Sequence, residues 1–151
     1  MAANLVANDF STTQRIALML VYLDTVICIY SVEGPPTFMA RARARIAALL
    51  AAGDQLAVSD LTWLECRVKP IRLGNAVALA DMETFLTAGH MVRVAMPFTV
   101  YDRACRIRAV HQYKLGDALH LAAAVESGCG VFLTHDLSLS RFPDIPVEVL
   151  P

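Results

Sequence analysis

Tryptophan occurs once in this chain, aromatic residues make up 7% of it, and charged residues only 18%. Neither sign of charge dominates: 13 Lys and Arg against 14 Asp and Glu give a formal net charge of −1. A polyanionic partner therefore has no global field to follow and would be held by a local patch or a bound cation. The four cysteines, Cys28, Cys66, Cys105 and Cys129, form no Cys-x-x-Cys pair and no Cys/His cluster at zinc spacing. Their scatter argues against a structural zinc site and predicts reduced core thiols in a cytoplasmic protein. No Gly-rich phosphate loop, Ser-His-Asp set, internal repeat or low-complexity linker is visible. The apolar run from Ile16 to Leu23 is too short to span a bilayer and has no cleavage site after it, so no membrane segment is expected.

What the chain has in quantity is apolar surface. Hydrophobic residues reach 56% of 151, and the mean hydropathy is +0.50. That length suits one domain with one core, and the excess predicts a partner interface. Residues 1–18, MAANLVANDFSTTQRIAL, carry no strand pattern and are expected to form an extension outside a single domain at 19–151. Met19 stands immediately before the first strand, so a natural start there is an expectation that intact-mass measurement tests.

From Met19 onward, strands and helices alternate. A buried strand is predicted near 20–28, overlapping VYLDTVICIY at 21–30, then a Gly34-Pro35-Pro36 break and an Ala-rich helix from Thr37 to Gly53. QLAVS at 55–59 reads as a strand. After it, Ser59 or Asp60 caps a helix with Leu61, Leu64 and Val68 at helical spacing, ending near Pro70. A helix over 75–89, the strand MVRVAM, a helix from about Thr99 to Tyr113, a helix from Asp117 to about Ser127, and strands VFLT and VEVL complete the pattern. Helices long enough to cross over predict an α/β fold, a parallel sheet covered on both faces.

Asp24 is costly inside an apolar strand unless something pairs with it. In a parallel open sheet, strand carboxyl ends and helix amino ends meet along one edge. Asp24 ends the first strand, Asp117 opens a helix and Asp136 follows VFLT, so all three can reach one crevice. Glu65 can turn inward beside Leu61, Leu64 and Val68, and Asp144 competes with Asp136 for the last place. Converging carboxylates repel one another, and a divalent cation relieves this. Oxygen-only ligation suits Mg²⁺ or Mn²⁺, and the chemistry that follows is metal-assisted phosphodiester hydrolysis by one or two ions.

Four ordered motifs, YLDT with Asp24, SDLTWLE with Glu65, GDALHLAAA with Asp117 and THD with Asp136, resemble the PIN-domain ribonucleases, and most closely the VapC-type toxins of bacterial toxin-antitoxin pairs. The resemblance covers roughly residues 20–150, and GDALHLAAA is its most specific part. It implies a PIN-like three-layer α/β/α sandwich with a central, mainly parallel sheet of four to five strands. It also implies Asp24, Glu65, Asp117 and Asp136 as catalytic ligands of Mg²⁺ or Mn²⁺, with Thr25 and Thr134 as supporting groups. RNA cleavage to a 5′-phosphate, a homodimer and an antitoxin that plugs the site are implied as well. Val26 departs from the Ser or Asn often found there, which leaves Thr25 to supply one supporting hydrogen bond.

Blander readings stand beside these. Asp117 alone reads as a helix N-cap, Glu65 as a solvated helix residue, and His120 and His135 as ordinary packed or exposed histidines. Arg67, Lys69, Arg72 and Lys114 can form a phosphate patch for RNA or simply a solvated face, and Arg41, Arg43 and Arg45 read as surface. Two other functions compete. DTV resembles the first motif of haloacid-dehalogenase-like phosphatases, but Val26 stands where their general acid belongs. A non-catalytic binding or dimerisation module of the same fold is the other.

Overall fold

The structure, a computed structural model, describes residues 18–151, so the expected extension lies outside the described residues except for Leu18. Five strands form one sheet: β1 (Leu20–Leu23), β2 (Gln55–Ser59), β3 (Met91–Val94), β4 (Val131–Thr134) and β5 (Val147–Val149). Their order is β3-β2-β1-β4-β5 and every pairing is parallel, with Tyr22 opposite Ala57 on one side and Phe132 on the other. β1 is therefore central, and the chain reverses its direction of growth there. Helices α1 (Thr25–Glu33), α2 (Pro36–Ala51), α3 (Asp60–Arg72), α4 (Ala76–Leu86), α5 (Phe98–His111) and α6 (Leu115–Glu126) make the connections, with a 3-10 helix at Leu137–Arg141.

Alternation along each strand divides the core in two. Val21, Leu23, Leu56, Val58 and Leu133 point to the α1–α4 side, where Ile27, Ile46, Leu49 and Met82 meet them. Tyr22, Ala57 and Phe132 point to the other side, against Val100, Ile107 and the run Ala118–Ala124 of α5 and α6. Residues such as Leu121 and Leu133 are wholly buried, each worth about 1.5–3 kcal/mol of transfer free energy. The result is the three-layer α/β/α sandwich expected from the resemblance.

Local expectations fail in four places. The first strand stops at Leu23 instead of running to 28, and TVICIYSVE is helix α1. Val26, Ile27 and Ile29 favour a strand by intrinsic propensity, but Asp24 caps a helix start and tertiary packing overrides a preference of tenths of a kcal/mol. α3 does not end at Pro70 but continues to Arg72; Pro70 is buried inside the helix, which forgoes there the N–H bond to the Cys66 carbonyl. Leu64 and Val68, expected inward, are 57% and 49% exposed, and α3 buries Thr62, Cys66 and Pro70 instead. Of the cysteines, Cys28 and Cys66 are core, Cys129 is half-buried and Cys105 is exposed on α5; all four are free.

Candidate active site

The carboxyl edge of the sheet is built around Asp24. Its N–H donates to the carbonyl of Leu133 at 2.9 Å, so it closes the β1–β4 ladder, and its own carbonyl accepts from Ile27 at 2.9 Å, so it also opens α1. Backbone angles of −62° and 149° make it a helix N-cap, with Oδ1 accepting from the Thr25 N–H at 2.8 Å. Oδ2 accepts from the Thr134 hydroxyl at 2.6 Å, and Thr134 Oγ1 accepts in turn from the Asp136 N–H at 3.1 Å. Asp24 is only 7% exposed and Thr134 is fully buried. The misplaced charge of the first strand is thus satisfied twice.

Glu65 reaches the same place from α3. Its Oε1 lies 2.5 Å from Nε2 of His120, a buried residue of α6. Asp117 is the third residue of α6, not its N-cap, which is Lys114 with no capping side chain. The carboxylate of Asp117 therefore stays free of the backbone-capping duty expected of it, while sitting in the first turn where the helix dipole favours negative charge. Asp136 caps the 3-10 helix, Oδ1 accepting from the Ser138 N–H at 2.9 Å.

Asp24, Thr25, Val26, Ile29, Glu65, Asp117, His135 and Asp136 line one open cleft of about 480 Å³. All four predicted acids are brought together there. Burial raises the pKa of Asp24 above the ordinary carboxylate value, against the lowering pull of the Thr134 and Thr25 hydrogen bonds and of His120, and Glu65 raises it further. Asp117 is raised by burial and then by the charges of Asp24 and Asp136. The acids thus raise one another's pKa values beyond the effect of burial, a repulsion that a cation bound between them would relieve. Among the described residues, no three of these side chains stand close enough together to grip one ion. The donor set still fits Mg²⁺ or Mn²⁺, since Mg²⁺ keeps several waters and takes only one or two carboxylates directly.

Size does not select this cleft. A second one, of about 500 Å³, lies beside α5, but its charges already pair: Arg103 with Glu126 at 2.5 Å and Asp144 at 4.0 Å, Arg106 with Asp102 at 3.3 Å. Asp144, the competitor of Asp136, belongs to that cleft. The predicted phosphate patch does not line the acid cleft either. Arg67 is held by Glu83 at 2.9 Å and lies 4.5 Å above the Trp63 ring, while Lys69, Arg72 and Lys114 are exposed. Val26, at the sequence position where a dehalogenase-like phosphatase carries its general acid, lines the cleft as an apolar residue.

Two residues have a larger part than the sequence assigns them. His120 joins Glu65 to Tyr22, and its only sequence signal is its place three residues after Asp117, on the same face of the helix. His135 lines the cleft with Nδ1 donating to the Leu150 carbonyl at 2.7 Å and its ring set edge-on to Tyr30 and Phe38.

Comparison with known proteins agrees with this fold. The chain is similar to VapBC2 from Rickettsia felis, solved bound to a DNA fragment from its promoter: 16% identity, TM-score 0.71, covering 88% of this chain and 100% of that one. It is similar to a toxin-antitoxin complex from Klebsiella pneumoniae, with 22% identity, TM-score 0.65 and coverage of 87% and 98%. DNA-bound VapBC from Salmonella typhimurium gives 19%, 0.64, and 89% and 100%. At these identities the likeness establishes the fold. Among curated proteins, none matches the chain. The PIN domain matches residues 21–145, a stretch that begins in β1 and takes in Asp24, Glu65, Asp117 and Asp136, and the chain belongs to the PIN domain family.

Proposed function

We propose that this protein is a divalent-metal-dependent endoribonuclease and the toxin of a toxin-antitoxin pair. The observation that carries the reading is the convergence of four acids, two with raised pKa values, in one open cleft at the carboxyl edge of a parallel sheet. Asp24, Glu65, Asp117 and Asp136 would hold Mg²⁺ or Mn²⁺, directly or through water. Bound there, the ion supplies charge neutralisation for a phosphate and acidifies a water for in-line attack. The protein's own part is placement: Thr134 and the Thr25 N–H fix the Asp24 carboxylate, and α6 holds Asp117 across from it. The cleft is open, which suits a polymer that must lie across it.

The three similar structures are toxin-antitoxin complexes, which supports an antitoxin as partner. Leu64, Val68, Ile71, Leu73 and Val77 lie exposed on α3, α4 and the turn between them, apolar area suited to that partner or to a second copy in a homodimer. No helix among the described residues is long and apolar enough to cross a membrane.

The test is cleavage of a structured RNA by antitoxin-free protein with Mg²⁺, Mn²⁺ or EDTA. The expected outcome is cleavage with either ion, none with EDTA, and 5′-phosphate ends. Asp24→Asn and Asp117→Asn should each abolish it with the fold retained by circular dichroism. Undiminished cleavage in both variants would defeat the site, and an inert wild-type protein would favour the non-catalytic binding module.

A further inference from the structure

His120 is packed as an ordinary core histidine would be: 2% exposed, within the buried run of α6. Both ring nitrogens are nevertheless in use. Nε2 lies 2.5 Å from Glu65 Oε1 and 3.1 Å from Thr25 Oγ1. Nδ1 lies 2.7 Å from the Tyr22 hydroxyl oxygen, which is in turn 2.8 Å from Ser59 Oγ. The Ser59 N–H closes the chain on Thr62 Oγ1 at 3.1 Å. The ring cannot turn without breaking contacts at both ends, and Tyr22 is itself stacked on Phe132, 5.5 Å between centroids.

We propose that His120 is a positioning residue that fixes the Glu65 carboxylate for the cation, a role that rests on the proposed metal-dependent reading. Glu65 needs such a device more than the other acids do. Asp24 is held by a helix cap and a threonine, and Asp136 by a cap, through short side chains next to backbone. Glu65 has a longer side chain and stands on a helix whose adjacent Leu64 is exposed, so its rotamer freedom would have to be suppressed at each binding event. His120 removes that freedom beforehand. A carboxylate only accepts, so Nε2 carries the proton between them, and Oε1 is engaged while Oε2 remains for an ion or its water. Oε2 lies on the side of Gly116, 3.9 Å from where a Cβ there would stand, next to Asp117. The same face of α6 thus supplies Asp117 directly and Glu65 indirectly, which ties the geometry of two acids to one helix.

Two amide substitutions separate this role from mere packing, because Gln carries its amide near the place of Nε2 and Asn near that of Nδ1. The measurement is equilibrium Mn²⁺ affinity, read by the free-ion electron paramagnetic resonance signal, beside the melting temperature of the metal-free protein. Outer hydrogen-bond partners of ligands typically contribute 10–100-fold to metal affinity. His120→Asn should lose about tenfold or more, whereas His120→Gln should stay within about threefold of wild type, although both variants lose part of the network and melt earlier. Equal affinity in the Asn variant and wild type overturns the proposal, as does an equal loss in both variants, which would mark a packing role. A Tyr22→Phe variant, which keeps the ring and drops only the Nδ1 partner, should fall between wild type and His120→Asn, and wild-type affinity there counts against the tethering. If wild-type protein itself binds no Mn²⁺, the metal reading fails first and the proposal goes with it. Wild-type binding that His120→Asn does not weaken sinks the inference alone.

Discussion

Asp24 and Asp136 follow neighbouring parallel strands, β1 and β4, yet one is almost sealed from solvent and the other is open. The two walls of the cleft differ accordingly. At the strand wall, Asp24 takes a ladder position, a cap position and the Thr134 hydroxyl at once, so its place follows from backbone geometry. At the helix wall, Glu65, Asp117 and Asp136 are reached by longer or more exposed side chains, and their places depend on partners such as His120 and Ser138. The strand wall is fixed chiefly by its own backbone, the helix wall by partners brought from elsewhere in the chain.

The sharpest way to break this contrast is Thr134→Val. It strips the donor from a buried carboxylate oxygen and the acceptor from the Asp136 N–H, and it should cost about 1–3 kcal/mol in urea unfolding. A loss no greater than that of an exposed-site control would show that the strand wall is not so tightly held.

The next test uses pH. Asp24 and Asp117 both have pKa values raised above the ordinary 3.8, so the metal-free folded state holds protons more tightly than the unfolded chain. Their contribution to stability is complete below the unfolded value and is lost as pH rises through the raised folded values. Asp24→Asn keeps the shape, and its amide can face Thr134 because a hydroxyl also accepts. Without metal at neutral pH this variant should therefore melt above wild type, by calorimetry, and wild type should close the gap when Mg²⁺ is added. A variant that melts lower at every pH would mean the buried charge is a net stabiliser.

Smaller effects are expected where the helix wall alone is touched. Asp136→Ala removes a cap from a short 3-10 helix and should cost about 1 kcal/mol or less by the same unfolding measurement. Away from both walls, Arg45 pairs with Glu148 at 2.6 Å, about a third exposed on each side, and Arg45→Ala should cost no more than about 1 kcal/mol, declining with added salt. A larger loss there than at Thr134 would reverse the ranking.

Much of the frame is legible in the residues alone. QLAVS and VFLT are strands with the boundaries read from their composition, because short, mainly apolar runs between turn residues leave little choice. TVICIYSVE misleads for the same reason: its β-branched residues match a strand, and what makes it a helix is a cap at Asp24 and a core of Leu49, Met82 and Leu133 that no local pattern contains. The inward turn of Glu65 is expected from Leu64 and Val68, yet these face outward; the acid reaches the cleft through His120, 55 residues away in the chain. Arg67 reads as a free phosphate contact in one dimension, whereas in three Glu83 and Trp63 claim it.

By itself the sequence determined the alternation of strands and helices, and with it the gathering of Asp24, Asp117 and Asp136 on one edge. Parallel strands joined by crossover helices all end on the same side, so order along the chain is enough to place them there. Only the tertiary structure decided which oxygens are bound and which are free. That depends on distances between residues far apart in the chain, such as 2.6 Å from Thr134 to Asp24 and 2.5 Å from His120 to Glu65, which side-chain periodicity does not encode.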